Sequence, residues 1–415
     1  MNVEYELFLP ALKAALKNEQ VPWDRELTLQ DWLALFDMAN RHRVLPMIYE
    51  VIYDCPAAQK QDPRFLVPFK QQAIRGVMLQ TIKTNEFLQI LQEMRQAGLQ
   101  PLVIKGIVCR SLYPHPDHRA SADEDLFVLP EHRAACESVL EAQGLVCAEP
   151  GETESNWSCA ESGLAIELHL QLFSEEYEAE RRMNAYFREA AARCEFETVS
   201  GVPVRTLAPQ DHFLLLVCHA LKHFHYSGFG LRTLSDIGLF ATRYGSRFDW
   251  TEIRRMLDEV GGMVFCSHVL HICQTQFVYD GAAAGYIPEI AGSDEALLTD
   301  VLDAGVYGQS TMSRKHSANI VLQNLKHAEP GSGRGGVLRA LFPPRAALVS
   351  RYPALKKVPV LLPAVWLARI GTYGADMLRG KLPRASAAES IELGKRRTEL
   401  MRQYGVFEES QTEDR

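Results

Sequence analysis

The chain has 415 residues, 47% of them hydrophobic and 23% charged, with a net charge of −8. That is the balance of an ordinary globular protein, long enough for two or three domains. The nine cysteines are scattered and form no CxxC pair, which excludes a disulfide framework or a zinc cluster and points to reduced thiols in a cytoplasm. The first residues, "MNVEYELFLPALKAALKNEQ", form an amphipathic pattern and not a leader, and no uncharged apolar run reaches membrane-spanning length. The best candidate, "VPVLLPAVWLA", is short, contains Pro359 and Pro363, and stops at Arg369.

Residues 1–99 read as helices, the longest ending at Gly98. "PLVIKG" then reads as a strand, "IVCRSLYP" as a helical turn, and "DEDLFVLP" as a second strand. Pro130 opens a helix that Gly144 closes. "SNWSCA" and "LAIELHLQLF" form a hairpin through Glu161-Ser162-Gly163. A charged helix over 175–192 precedes a second hairpin turning at Ser200-Gly201. Beyond Pro209 the pattern is helical again. The Gly-rich "AEPGSGRGGVL" reads as a linker, and "EESQTEDR" as a disordered tail. The expected division is 1–99 helical, 100–206 α/β, 207–328 helical bundle, and 329–415 a basic C-terminal segment. Between Gly331 and Gln403 there are 14 Arg and Lys against four acids. This segment is expected to dock on the acidic body of its own chain; an anionic partner is the alternative.

The chemistry-bearing residues lie in the α/β part. Asp123 and Asp125 are two apart, so a strand would place both carboxylates on one face, where they repel unless a cation lies between them. Alternation in "AIELHL" sets Glu167 and His169 on one face. If that strand pairs beside the Asp123 strand, three carboxylates converge in a patch suited to Mg²⁺ or Mn²⁺ whose other ligands are water and phosphate. A solvated strand entry is the simpler reading of D-x-D alone. His219 and His223 share a helix face with His225 close by. Zinc uses that spacing, but Ala220 stands where H-E-x-x-H has its glutamate, which sets protease chemistry aside. Arg232 and Asp236 are spaced for an i,i+4 ion pair. The Trp366 stretch reads as a core helix in preference to a membrane-surface one.

"LVIKGIVCRSLYPHPDHRASADEDLFV", with "IELHLQLF", "LAPQDHFLLLVCHALKH…LRTLSDIGLF" and "LFPPRAALVSRYPALKKVPVLLPAVWLARI", resembles the bacterial uncharacterised nucleotidyltransferase family of the DNA polymerase β-like superfamily. The resemblance runs in order over residues 26–380. It implies an α+β fold, a small mixed-sheet polymerase β-like domain embedded in helical lobes. It also implies a metal-dependent transfer of an NMP, AMP being the expected one, from Mg-NTP to an acceptor hydroxyl or phosphate. Carried over by position, Asp123, Asp125 and Glu167 are the catalytic and metal residues. Lys105, Gly106, Arg119, His223 and Arg232 are the nucleotide-binding ones. Glu167 replaces the more usual aspartate, which leaves it as ligand or as general base. Lys105 stands where a serine is usual and would act as a point charge. For Arg119, a salt bridge to Asp123 is an equal reading. The acceptor (small molecule, saccharide or protein) is undefined, and nucleic acid is not expected because the body of the chain is acidic. The competing reading is a non-catalytic nucleotide-binding scaffold for polysaccharide or modified-peptide biosynthesis.

Overall fold

The computed structural model describes residues 3–21, 23, 26–175, 178–226 and 228–305. Beyond these it describes 342, 345–348, 352, 358–368, 371, 396–397 and 399–405. The fold is α+β, a small mixed sheet set among helices.

The N-terminal helices are α1 (Val3–Lys17), α2 (Leu29–Arg41), α3 (Leu45–Ile52), α4 (Pro56–Gln59) and α5 (Pro63–Gln96). Local chemistry fixes their starts. Thr28 and Asp31 make a capping box on α2, and Asp62 caps α5 ahead of Pro63 at its first turn. The 34-residue α5 packs against α3 and the Pro116–His118 turn and holds the loop that leads to Asp123. Gln80 Oε1 accepts from Ser121 N (2.7 Å), and Thr81 and Thr84 both donate to Asp117 (2.5 and 3.1 Å).

The sheet contains β1 (Leu102–Ile104), β2 (Glu124–Phe127), β3 (Val146–Pro150), β4 (Glu154–Ser158) and β5 (Ala165–His169), in the order β1-β2-β5-β4-β3. The β2–β5 pair is parallel and central. Its crossover carries α7 (Arg133–Ala142), β3 and β4, whereas α6 (Gly106–Arg110) directly follows β1. β3 was not expected from sequence: its five residues are mostly exposed, end in proline and lack apolar alternation. The second hairpin, β6 (Cys194–Val199) and β7 (Val202–Leu207), turns at Ser200-Gly201 as expected, both with positive φ (48° and 82°). It follows α8 (Glu178–Ala190).

The remaining helices are α9 (Pro209–Tyr226), α10 (Leu231–Tyr244), α11 (Trp250–Glu259), α12 (Met263–Gln276), α13 (Gly281–Ala284) and α14 (Glu295–Ala304). One continuous apolar core runs through the molecule from Tyr5 to Tyr404. Part of the C-terminal segment joins it. Arg397 is buried, with Nη1 on both oxygens of Asp300 (3.2 Å) and Nη2 on the Phe224 carbonyl (2.5 Å). Tyr404 donates to the Ser293 carbonyl (3.1 Å). The glycine-rich linker, most of residues 329–415 and the tail after 405 lie outside the described residues. The Trp366 stretch departs from the expected core helix: Val360 and Leu367 are 80% and 71% exposed. Pro359 opens a 3-10 turn and Pro363 lies in the first turn of the helix over 362–368, which is too short to present a long apolar face.

Candidate active site

Asp125 and Glu167 are direct Cα partners across the parallel β2–β5 pair, and Phe127 and His169 are the next pair but one. Side chains two apart share a face, so Asp125, Glu167 and His169 meet on one side of the sheet. Their ligand atoms lie within 4.8 Å of one another, the one such metal-compatible group among the described residues. β2 begins at Glu124, so Asp123 lies one residue ahead of the strand. It faces the same charges: burial, then Asp125 and Glu167, push its carboxyl up to about 6. The Asp123 carboxylate makes no hydrogen bond or ion pair among the described residues.

Asp125 Oδ1 lies 3.0 Å from Lys105 Nζ and 3.0 Å from His169 Nε2. Burial alone would raise its pKa, but these two cations outweigh burial and hold it well below the carboxylate range. Burial likewise opposes charge on His169, yet Asp125, Glu154 (3.5 Å) and Glu167 (3.4 Å) lift its pKa to about 10. At neutral pH the acidic patch is therefore balanced from within by an ammonium and an imidazolium. Asp125 and Glu167 supply oxygens of the kind a hard divalent cation takes; the third member of the group is His169, and the unpaired Asp123 lies outside it, one residue ahead of the strand.

Lys105 sits on an unusual backbone. It has φ 55° and ψ −126°, and Gly106 follows with φ 33°. A non-glycine residue holds that conformation only where its surroundings impose it. Here the buried His212 does so. Thr206 Oγ1 donates to the Val103 carbonyl, so it accepts from His212 Nδ1–H at 3.1 Å, and His212 Nε2 accepts from Lys105 N–H at 3.0 Å. Burial and the nearby Lys105 push the His212 pKa down to about 3, which keeps that acceptor lone pair. The Lys105 ammonium then reaches His219 Nε2 at 3.0 Å, and His223 Nε2 lies 3.1 Å beyond.

The other expected nucleotide ligands have different neighbours. A Cβ on Gly106 would collide with the Glu124 carboxylate, which accepts from Ile107 N–H (2.8 Å) and pairs with buried Arg110 (2.7 Å). Gly106 is thus required by Glu124. Arg119 pairs with Asp236 and not with Asp123: Nε and Nη2 reach its two oxygens at 2.8 and 2.5 Å, and Tyr113 OH donates to the same carboxylate at 2.7 Å. Arg232 donates to the Ala120 carbonyl, so the expected Arg232–Asp236 pair is replaced by Arg119–Asp236. These contacts tie α10 to the loop before β2. Lys105, Asp123, Asp125, Glu167 and, through His219, His223 come together, while Arg119 and Arg232 form a neighbouring brace.

Sequence reasoning missed His212, Glu154, Glu124 and Lys222. His212, His219 and His223 recur at i, i+7 and i+11, one face of α9, and that periodicity was the available signal. Lys222, on the next turn, donates weakly to the Leu172 carbonyl (3.4 Å), and burial and Lys105 lower its pKa.

The site is thus a small mixed sheet with paired acids at a parallel register, beside a histidine-bearing helix. Residues 28–277 match the family described as uncharacterised nucleotidyltransferase, and the chain belongs to that family. No curated protein matches it. Among solved structures it is similar to the antibiotic-resistance factor ANT(2'')-Ia, at 16% identity over 42% of this chain and 90% of that one (TM-score 0.31). It is also similar to an antigenic nucleotidyltransferase-like protein from Paracoccidioides brasiliensis, at 15% identity over 49% and 95% (TM-score 0.31). No helix among the described residues is long and apolar enough to cross a membrane.

Proposed function

We propose that this nucleotidyltransferase moves an NMP, with ATP as the expected donor, from a metal-NTP to an acceptor hydroxyl or phosphate in the cytoplasm. The observation that carries the reading is the in-register pair Asp125–Glu167 with the unpartnered Asp123 beside it. Asp123, Asp125 and Glu167 would hold Mg²⁺ or Mn²⁺, which when bound draws charge off the transferring phosphate and the attacking and leaving oxygens. Glu167, a third exposed, is placed to accept the acceptor's proton. His169 orients Asp125 through its Nε2–H. Lys105 is fixed by His212 beside the acids, where its ammonium can move from Asp125 to the triphosphate. Lys222 and His223 line the same side, and Arg119, Arg232 and Gly106 act by holding the loops in place. The division into 1–99, 100–206, 207–328 and 329–415 is kept as the working organisation.

The scaffold reading has one observation in its favour. Lys105 and His169 already neutralise Asp125, so the acids persist without a metal at less cost than bare carboxylates would.

Incubation with labelled NTPs, Mg²⁺ or Mn²⁺ and a cell lysate separates the two. Transfer of label to an acceptor, lost in Asp125→Asn and Glu167→Gln, is expected. Tight NTP binding with no metal-dependent transfer to any acceptor or to water would favour the scaffold.

A further inference from the structure

One face of α5 carries Val67, Ile74, Met78, Leu79 and Ile82, between 43% and 60% exposed. The opposite face is committed to the core through Leu66, Ala73, Phe87, Leu91 and Met94. The exposed strip spans about 22 Å at 1.5 Å per residue. Ile74, Met78, Leu79 and Ile82, with Gln71 and Arg75, line a shallow trough of ≈ 340 Å³. Exposed apolar residues gathered in one strip, and not scattered singly, point to a contact surface.

We propose that this strip is a homodimer interface, with two copies of α5 packed antiparallel about an axis near Met78. Residues 67, 71, 74, 78, 82 and 85 step by four, three, four, four and three, which is a seam for a second helix. The seam is close to a palindrome: Ile74 and Ile82 flank Met78 at equal spacing, and Gln71 and Asn85 lie outside them. A two-fold axis at Met78 therefore sets Ile74 against Ile82 and Gln71 against Asn85, as an isologous interface requires, while Val67 at the end of the strip meets Gln89. Charge runs the same way. Lys70 and Glu86 stand eight residues either side of Met78, and neither has an ion pair among the described residues. Antiparallel packing about Met78 sets Lys70 of each helix beside Glu86 of the other. The chain's own apolar residues 358–368 fit less well, because Lys356, Lys357 and Arg369 beside them would meet Lys70 and Arg75 with like charge.

Light scattering on the full chain at about 50 µM is expected to give twice the chain mass, a concentration at which an interface of this class is populated by mass action. Met78→Glu, at an exposed position, should halve that mass while leaving the circular dichroism unchanged. Val264→Glu, at an exposed apolar position on α12, should leave the dimer intact. Met78→Cys should form a thiol-reversible inter-chain crosslink on mild oxidation. A monomeric wild type, or a dimer that survives Met78→Glu and gives no Met78→Cys crosslink, overturns the proposal.

Discussion

The space that a Cβ on Gly106 would need is filled by the carboxylate of Glu124. Two oxygens of one buried acid thus fix three things: the start of α6 through Ile107 N–H, the Arg110 guanidinium, and the close passage of the chain at Gly106.

Gly106→Ala should therefore be far worse than an ordinary glycine change. It forces Glu124 off Ile107 and Arg110 at a backbone with φ 33°, and breaking a buried charge pair costs about 3–5 kcal/mol. Urea unfolding is expected to show a loss of that size. A loss under about 1 kcal/mol, the scale of a simple propensity change, would mean that Glu124 relaxes freely.

Arg119 and Asp236 lie 117 residues apart in sequence and form a buried two-point pair that also takes the Tyr113 hydroxyl. Arg119→Ala should destabilise the protein by about 3–5 kcal/mol. Arg119→Lys should recover little, because an ammonium cannot make both contacts. NTP affinity of the folded fraction should stay within about twofold, less than 0.5 kcal/mol. Calorimetry decides this, and a large loss of triphosphate affinity with an unchanged melting temperature would return Arg119 to the nucleotide.

Acid should destabilise the fold through its buried histidines. Burial lowers His42, His212, His223 and His225 from 6.5 to about 4, 3, 4 and 4. A depressed folded pKa means stability is held above pH 6.5 and lost as pH falls toward 4. The loss is about 1.4 kcal/mol for each tenfold weakening of proton affinity in a fully buried ring. Asp123, raised to about 6, has the opposite sign: its contribution is present below pH 3.8 and lost as pH rises through 6. His169, raised to about 10, holds its contribution below pH 6.5 and loses it toward pH 10. The melting temperature should peak near neutrality and fall clearly between about pH 6.5 and 4.5. A flat profile across that interval would show that the histidines are solvated.

Much of this was legible in the sequence because the signals were local. The Ser200-Gly201 hairpin and the shared face of Glu167 and His169 follow from spacing over a few residues. The parallel pairing that sets Glu167 opposite Asp125 was conditional in sequence, since alternation gives a face but not a neighbour. What escaped was long-range or hidden by a louder pattern. Arg119 finds its carboxylate on α10, which no spacing announces. Glu124 sits between two aspartates that drew the functional reading, although alternation alone turns it to the other face. Lys105 was read as a free charge, and its histidine support depends on where α9 packs.

The Lys105–Asp125 contact bears on how the molecule is made as well as on what it does. Small metalloproteins often stay unfolded until their ion arrives, because their ligands repel one another without it. Here the chain brings its own counter-cations to the acids, so chelators should remove activity and leave the fold standing. On the proposed reading the ion is then needed for the reaction and not for folding, so protein refolded without any divalent cation should reach the same melting temperature as protein refolded with one.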